Sequence, residues 1–314
     1  MKLGIDMGGM SIKMGLVNEE NEIIGRITIP TDLTVPYQVL VERVADAVQQ
    51  MLENAGVTLE QCEGIGIGSP GTIDAKQGVI LYSNNFGWEN VPIVEELKKH
   101  LDTRIEIAND ADAAALGEVC AGAAEGAENA VLLTLGTGVG GGVILDKKIF
   151  HGAMPGGCEL GHLSIRYDGI RCTCGRKGCL EAYASASALL RIAREKSAEH
   201  PESIMNEMCG NDLEQMNGKI PFDAAKAGDE AGMEVVKEYE GYLACGIANV
   251  INTFRPEKVI LGGGVAAQRE NLTAPLKGLV KDMCFGGSHG YIADIVTSVL
   301  GNDAGIIGAA NLVV

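Results

Sequence analysis

One histidine and three cysteines lie close together in the middle of the chain, at a spacing that suits a metal ion. The pattern is H-x9-C-x-C-x4-C in a polar, glycine-rich stretch, and it comprises His162, Cys172, Cys174 and Cys179. Three thiolates and one imidazole form a closed tetrahedral set for structural Zn²⁺, with no open position for catalysis by the metal. The alternative is a group of free thiols beside an ordinary core histidine. We favour the zinc site because the three cysteines lie so close together.

Three acidic residues and one asparagine could together bind a ligand that carries several hydroxyl groups. Asn109 and Asp110 lie where a predicted strand becomes a helix, and sites collect at the carboxyl ends of such strands. Glu159 precedes His162 by three residues, and Glu181 follows the last cysteine of the cluster. Their oxygens could accept hydrogen bonds from hydroxyl groups in register. Helix capping is the alternative role for the first pair, and a solvated surface charge is the alternative for each glutamate.

Two glycine turns, each between two predicted strands, could bind phosphate through backbone N–H groups. The first reads DMGGMS from Asp6 to Ser11, and the second reads GTGVGGG from Gly136 to Gly142. The second matches the dinucleotide fingerprint G-x-G-x-x-G in form, but the residues that follow predict a strand rather than the required helix. Asp6 could hold Mg²⁺, directly or through water, and Lys13 could lie near the phosphates. Either turn by itself could be only a tight hairpin.

Strands and helices alternate along the chain, which predicts an α/β fold. Apolar and helical spacing predicts strands at 2–6, 12–17, 64–68, 104–108, 130–135, 143–146 and 258–261, and helices at 37–54, 92–100, 110–119, 181–198, 229–254 and 303–312. The strand–turn–strand unit at 3–17 recurs at 132–145, which suggests two domains of like topology. We expect an N-terminal domain at 1–118, joined by the last helix at about 303–314, and a larger domain at 119–302 that carries the zinc loop.

The charge and the cysteine content exclude several classes of protein. A formal net charge of −17 opposes binding to nucleic acid and to anionic membranes, so we expect neither as a partner. No run of 18 apolar residues occurs, and the start MKLGID becomes acidic too early for a signal peptide. We therefore expect a cytoplasmic protein. The nine cysteines do not suggest a disulfide framework, and those outside the cluster suit small core residues.

Taken together, the motifs resemble those of a known family. They read DMGG at 6–9, GSPG at 68–71, NNFGW at 84–88, NDA at 109–111, ELGH at 159–162 and CTCGRKGCLE at 172–181. The chain resembles the ROK family (repressors, open reading frames and sugar kinases) over nearly its whole length, and within it the bacterial glucokinases. The resemblance implies a two-domain actin-like ATPase fold (ribonuclease H-like) with a cleft between the domains. It also implies ATP-dependent phosphorylation of a hexose and a homodimer or homotetramer.

The resemblance further implies roles for individual residues. Asp110 would be the base that accepts the proton of the sugar 6-hydroxyl. The sugar would be held by Gly71, Asn85, Asn109, Glu159, His162 and Glu181, so that His162 serves both zinc and sugar. The phosphates of ATP, with Mg²⁺, would lie against Gly8, Gly9, Gly136, Thr137 and Gly138, and the adenosine near Gly262, Gly263 and Gly264.

Two positions depart from the family pattern, and other functions stay open. Met10 stands where the family usually has threonine, which predicts weaker nucleotide binding unless Ser11 supplies the hydroxyl. Asp112 stands where asparagine is commoner, and we expect it to face the helix surface. The alternatives are a kinase for N-acetylmannosamine, fructose or allose, and a sugar-binding protein without turnover. A family repressor and a nicotinamide dehydrogenase are disfavoured, because the first strand begins at Lys2 and because no helix follows the second turn.

Overall fold

The computed structural model describes residues 1–314, and it is built from thirteen strands and ten helices. The strands are β1 (Lys2–Met7), β2 (Ser11–Val17), β3 (Ile23–Pro30), β4 (Ile65–Ser69), β5 (Thr72–Asp74), β6 (Val79–Ser83), β7 (Trp88–Val91), β8 (Ile105–Asn109), β9 (Ala130–Leu135), β10 (Val139–Leu145), β11 (Lys148–Ile149), β12 (Lys258–Gly262) and β13 (Asp294–Thr297). The helices are α1 (Tyr37–Ala55), α2 (Ile93–Lys98), α3 (Asp110–Ala121), α4 (Glu181–Ala184), α5 (Ala186–Glu199), α6 (Ile204–Met208), α7 (Ile220–Lys226), α8 (Glu230–Phe254), α9 (Glu270–Met283) and α10 (Ala304–Ala310).

The chain divides into two compact units. The first comprises 1–132, 142–158 and 299–314, and the second comprises 133–141 and 159–298. The division passes through β9 and β10, and it assigns residues 119–132 to the first unit. These bounds differ from the expected domain boundary near residue 118, so the domain assignment stays a prediction. None of the helices combines the length and the hydrophobicity that crossing a membrane requires.

The first unit is built on a mixed five-stranded sheet in the order β3-β2-β1-β4-β8. β1 and β8 both pair parallel with β4, so these three strands end at the same edge of the sheet. The amphipathic helix α1 buries Leu40, Val44 and Val48 in the core of this unit. A smaller antiparallel sheet, β5-β6-β7, follows β4 in the chain. The sheet therefore places the ends of β1 and β8 on one side, with Asp6 near the end of β1 and Asp110 directly after β8.

The closing helix α10 lies against β1 and β4 because two glycines leave room for it. A Cβ on Gly4 would overlap the carbonyl group of Ile306, and a Cβ on Gly66 would overlap that of Ala309. Backbone can pack this closely only where a side chain is missing. The same packing brings Gly305, in the first turn of α10, into contact with the Asp6 carboxyl group.

A second five-stranded sheet has the order β11-β10-β9-β12-β13, with β12 and β13 parallel. In the second unit, the long helix α8 is packed among α4, α5, α7 and α9. The predicted α/β architecture is confirmed. Two elements are corrected. The second glycine turn, expected at 136–142, ends at Gly138, because β10 begins at Val139 rather than at 143. The helix expected at 181–198 is two helices, since Ser185 has extended backbone and its Oγ caps α5 by accepting from Ala188 N–H at 3.1 Å.

Candidate active site

Two carboxylates lie at the shared strand edge of the first unit. Asp6 is next to last in β1, and Asp110 directly follows β8. Burial raises the pKa of Asp6 above its ordinary value of 3.8, the Lys13 ammonium lowers it, and the negative charge of Asp110 raises it again. Lys13 Nζ lies 3.8 Å from Asp6 Oδ2. Burial also raises the pKa of Asp110. The structure thus brings together three residues that the sequence predicted for catalysis and phosphate binding.

Asn109 holds the start of α3 and the loop after β4. Its Oδ1 accepts a hydrogen bond from Ala111 N–H at 2.9 Å, and its Nδ2 donates to the Gly71 carbonyl at 3.1 Å. The capping role that was one interpretation of this residue is therefore present. Gly71 needs to be glycine because its φ is 119° and a Cβ would overlap the carbonyl oxygen of Tyr82. Asn85 is exposed in the turn between β6 and β7.

The first glycine turn is a tight, open connection between β1 and β2. Gly8 N–H donates to the Ser11 carbonyl at 3.0 Å, and Thr31 Oγ1 donates to the Gly8 carbonyl at 2.6 Å. A Cβ on Gly9 would meet no atom within 4 Å. Met10 is 91% exposed. The turn is therefore anchored on one side and accessible on the other, and the Met10 side chain contributes little to packing.

The start of α5 holds the second glycine turn in place through hydrogen bonds. Gly136 N–H donates to the Gly138 carbonyl at 3.0 Å, which closes the turn between β9 and β10. Ala186 N–H donates to the Gly136 carbonyl at 2.7 Å, and Ser187 Oγ donates to the Thr137 carbonyl at 2.8 Å. Hydrogen bonds to the carbonyl oxygens of the turn therefore fix its conformation.

The third glycine cluster, 262–264, lies against the end of β9. Gly263 has a φ of 82°, and a Cβ there would lie 2.5 Å from the Leu135 carbonyl oxygen. Gly262 ends β12, and Gly264 begins a 3-10 helix at a position where an added Cβ would meet no atom within 4 Å. The predicted adenosine residues are thus brought close to the second glycine turn within the same unit.

The four predicted metal ligands converge. Their ligand atoms all lie within 4.8 Å of one another. Cys174 Sγ is 3.7 Å from Cys179 Sγ, and Cys172 Sγ is 3.8 Å from His162 Nδ1. Tetrahedral Zn²⁺ with bonds of about 2.3 Å to sulfur sets two sulfurs about 3.8 Å apart, so the cluster fits this ion. Burial, with the neighbouring Cys174 and Cys172 thiols, raises the pKa of Cys179 to about 12.

The two predicted glutamates have different surroundings. Glu159 is exposed and precedes the 3-10 helix 160–162, where its carbonyl accepts from His162 N–H at 3.0 Å. Glu181 is half-buried, and its Oε2 accepts from Val139 N–H at 3.0 Å. Its Oε1 accepts from the Thr173 hydroxyl, also at 3.0 Å. The interpretation of Glu181 as a solvated surface charge is therefore wrong.

Asp112 is buried, which corrects the expectation that it faces the helix surface. It is 2% exposed rather than at the helix surface, and its Oδ2 lies 3.9 Å from His151 Nδ1.

Two groups that contact Glu181, the Thr173 hydroxyl and the Val139 N–H, were not among the predicted site residues. Thr173 lies inside the cysteine motif, close in sequence to Glu181. A hydroxyl residue so near a predicted sugar-binding carboxylate is a signal from which the hydrogen bond could be predicted. A backbone donor such as Val139 N–H leaves no signal in the sequence.

Comparisons with known proteins agree with these motifs. The ROK family model matches residues 2–314. The glucokinase of Thermotoga maritima is 37% identical over 312 residues, which cover 99% of this chain and 96% of that protein.

Solved structures of the same fold include the ROK family glucokinase from Streptomyces griseus in complex with glucose and AMPPNP. It has a TM-score of 0.78 and 32% identity, covering 99% of this chain and 98% of that one. ROK hexokinase from Thermus thermophilus has a TM-score of 0.80 and 32% identity, covering 99% and 97%. The chain belongs to the ROK family.

Proposed function

We propose that the protein transfers the terminal phosphate of ATP to the 6-hydroxyl of a hexose, and that the hexose is glucose. The observation that carries the proposal is the pair of half-buried carboxylates, Asp6 and Asp110, at one edge of the first sheet. Phosphoryl transfer needs one group that accepts the hydroxyl proton and one that holds a cation beside the phosphates. Relatives that carry the name glucokinase, and a related structure with glucose and AMPPNP, support the choice of acceptor and donor.

Asp110 is the base in this proposal. Ala111 N–H donates to its Oδ1 at 2.9 Å, which fixes the carboxylate and leaves Oδ2 to accept the sugar proton. Burial raises the pKa of this carboxyl above its ordinary value, which makes the carboxylate a stronger base than an exposed aspartate. Proton acceptance late in the transfer is sufficient, because most of the catalysis comes from positioning and charge stabilisation.

The sugar would be held by groups that keep free hydrogen-bonding capacity. Asn109 donates to the Gly71 carbonyl and also hydrogen-bonds the Asp110 carboxylate, so it would meet the sugar beside the base. His162 presents Nδ1 to the cysteines, which leaves Nε2 for a hydroxyl group. Glu159 is exposed, and Glu181 Oε2 has one lone pair beyond its bond to Val139 N–H. Gly71 and Asn85 belong to the same proposed set through the family motifs.

The two glycine turns would bind the phosphates, Gly8 and Gly9 from one and Gly136, Thr137 and Gly138 from the other. Mg²⁺ would be held by Asp6, whose carboxylate is a suitable hard ligand, and bound there it would neutralise charge on the phosphate oxygens. Zn²⁺ would be held by His162 and the three cysteines and would fix the loop that carries Glu181. With four protein ligands, zinc has a structural role.

The test is release of ADP from Mg-ATP in the presence of glucose, mannose, N-acetylmannosamine, N-acetylglucosamine, fructose or allose. We expect glucose to stimulate release far above the rate without sugar. Stimulation by another hexose alone would keep the kinase and replace the substrate. No stimulation by any sugar, in folded protein that contains zinc, would refute catalysis. It would favour a sugar-binding protein, which the exposed Met10 in the first turn makes the second candidate.

A further inference from the structure

The carboxylate of Glu181 is held by two separate elements of the second unit. Thr173, between two cysteines of the metal cluster, donates its hydroxyl to Oε1 at 3.0 Å. Val139, the first residue of β10 after the second glycine turn, donates its N–H to Oε2 at 3.0 Å. Glu181 therefore connects the cysteine loop to the backbone that follows the proposed phosphate turn.

Close steric contacts also link Glu181 to the second glycine turn. A Cβ on Gly138 would overlap Glu181 Oε2, so glycine is needed for the carboxylate to lie against the turn. A Cβ on Gly161 would likewise overlap the Val139 carbonyl oxygen, so the 3-10 helix of His162 packs against the same residue of β10. Glu181 also lines a cavity of about 320 Å³ together with Thr137 and Thr173. In this position the carboxylate lies directly against the turn.

The Thr173 hydroxyl is the donor that matters when the metal is bound. Cys172 Sγ also lies 3.3 Å from Glu181 Oε1. A zinc-bound cysteine is a thiolate and has no proton to donate, so Thr173 is then the side-chain donor to Oε1. Thr173 is exposed, and its exchange for a residue of the same shape leaves the core untouched.

We infer that Thr173 is a positioning residue for Glu181, and that the Glu181–Val139 bond couples sugar binding to nucleotide binding at the second glycine turn. The inference rests on the proposed function. A nucleotide that fixes the turn also fixes Val139 N–H, and hence the carboxylate that meets the sugar. Such coupling is reciprocal, so each ligand tightens the other by the same factor.

The experiment measures glucose binding by calorimetry, with and without AMPPNP, and the zinc content of each protein. Wild-type protein should bind glucose at least about 5-fold more tightly when AMPPNP is present. Thr173→Val should retain one zinc per chain, raise the glucose Kd about 10-fold and bring the AMPPNP effect close to 1, since it removes a hydrogen bond to a charged group. Thr173→Ala should behave in the same way, which covers a failure of the valine variant to fold.

Two matched variants complete the test. Thr173→Ser keeps the hydroxyl and should stay within about 3-fold of wild type. Ser164→Ala removes another exposed hydroxyl of the same loop, one that lies 3.5 Å from the Lys177 carbonyl and not at Glu181, and it should have no effect. Wild-type affinity and coupling in Thr173→Val would overturn the inference, and so would loss of zinc from that variant. Absence of sugar binding in wild-type protein would instead refute the proposed function.

Discussion

Replacing Asp110 by asparagine removes the charge of this side chain and keeps its shape. The Oδ1 atom of asparagine can still accept from Ala111 N–H, so the start of α3 should be unchanged. The amide cannot accept the sugar proton. We expect kcat to fall by about 10²–10⁴, which corresponds to about 3–5 kcal/mol in the activation barrier. Glucose affinity should change little, because binding of the sugar before the reaction needs only a side-chain oxygen that accepts a hydrogen bond, and asparagine retains one.

The same variant should be more stable than the wild type. Burial raises the pKa of Asp110 in the folded protein, so the charged form costs more in the folded than in the unfolded state. This penalty is absent below the ordinary pKa and grows as the pH rises from there through the raised value. At neutral pH we expect Asp110→Asn to gain on the order of 1 kcal/mol in free energy of unfolding.

Coupled ADP-release kinetics and urea unfolding at pH 4 and pH 7.5 measure both effects. The matched control is Asp112→Asn, the same chemical change two residues further along α3 at a buried position, which should keep kcat within about 3-fold. A kcat within tenfold of wild type in Asp110→Asn would refute its role as the base. A loss of stability at pH 7.5, or a gain that is as large at pH 4, would refute the burial argument.

Three further substitutions test other parts of the site. Gly263→Ala should lower the free energy of unfolding in urea by about 1–3 kcal/mol, because φ is 82° and the Cβ would lie 2.5 Å from the Leu135 carbonyl oxygen. The control Gly264→Ala should leave stability unchanged, since a Cβ there meets no atom within 4 Å, and equal effects of the two substitutions would contradict this reasoning. Met10→Thr should lower the KM for ATP about 2–10-fold at unchanged stability, since the methionine is exposed; an unchanged KM would show that the turn needs no hydroxyl there. Cys174→Ser should lose zinc by elemental analysis and raise the glucose Kd about 10–100-fold, whereas a zinc-free variant with full affinity would separate the metal from the sugar site.

The fold class and the metal cluster could be predicted because their signals are contiguous in the sequence. Apolar runs, glycine turns and the cysteine spacing each lie within a short window, and the structure brings the cluster together as expected. The Asn109 cap is also local, since donors and acceptor lie within three residues. The split at Ser185 was missed, because a serine within a helical pattern gives a weak signal, and the tertiary bond from the next residue, Ala186 N–H, to the Gly136 carbonyl is not visible in the sequence.

Burial along α3 could not be predicted, and this explains the error at Asp112. The helix is rich in alanine and buries residues on all sides, so no polar face marks the surface. Glu118, on the same helix, is fully buried and accepts from Val299 and Leu300 N–H groups at 3.1 Å. Partners that lie about 180 positions away and belong to the backbone leave no trace in the pattern of side chains.

The most direct test of the central claim identifies the phosphorylated atom. ³¹P NMR of protein with Mg-ATP and glucose should show a new phosphomonoester, and a 6-phosphate-specific dehydrogenase should consume the product. In a parallel sample, 6-deoxyglucose should give no phosphomonoester, because the accepting hydroxyl is missing. A phosphomonoester formed equally from 6-deoxyglucose, or only inorganic phosphate in both samples, would contradict phosphoryl transfer from ATP to the 6-hydroxyl.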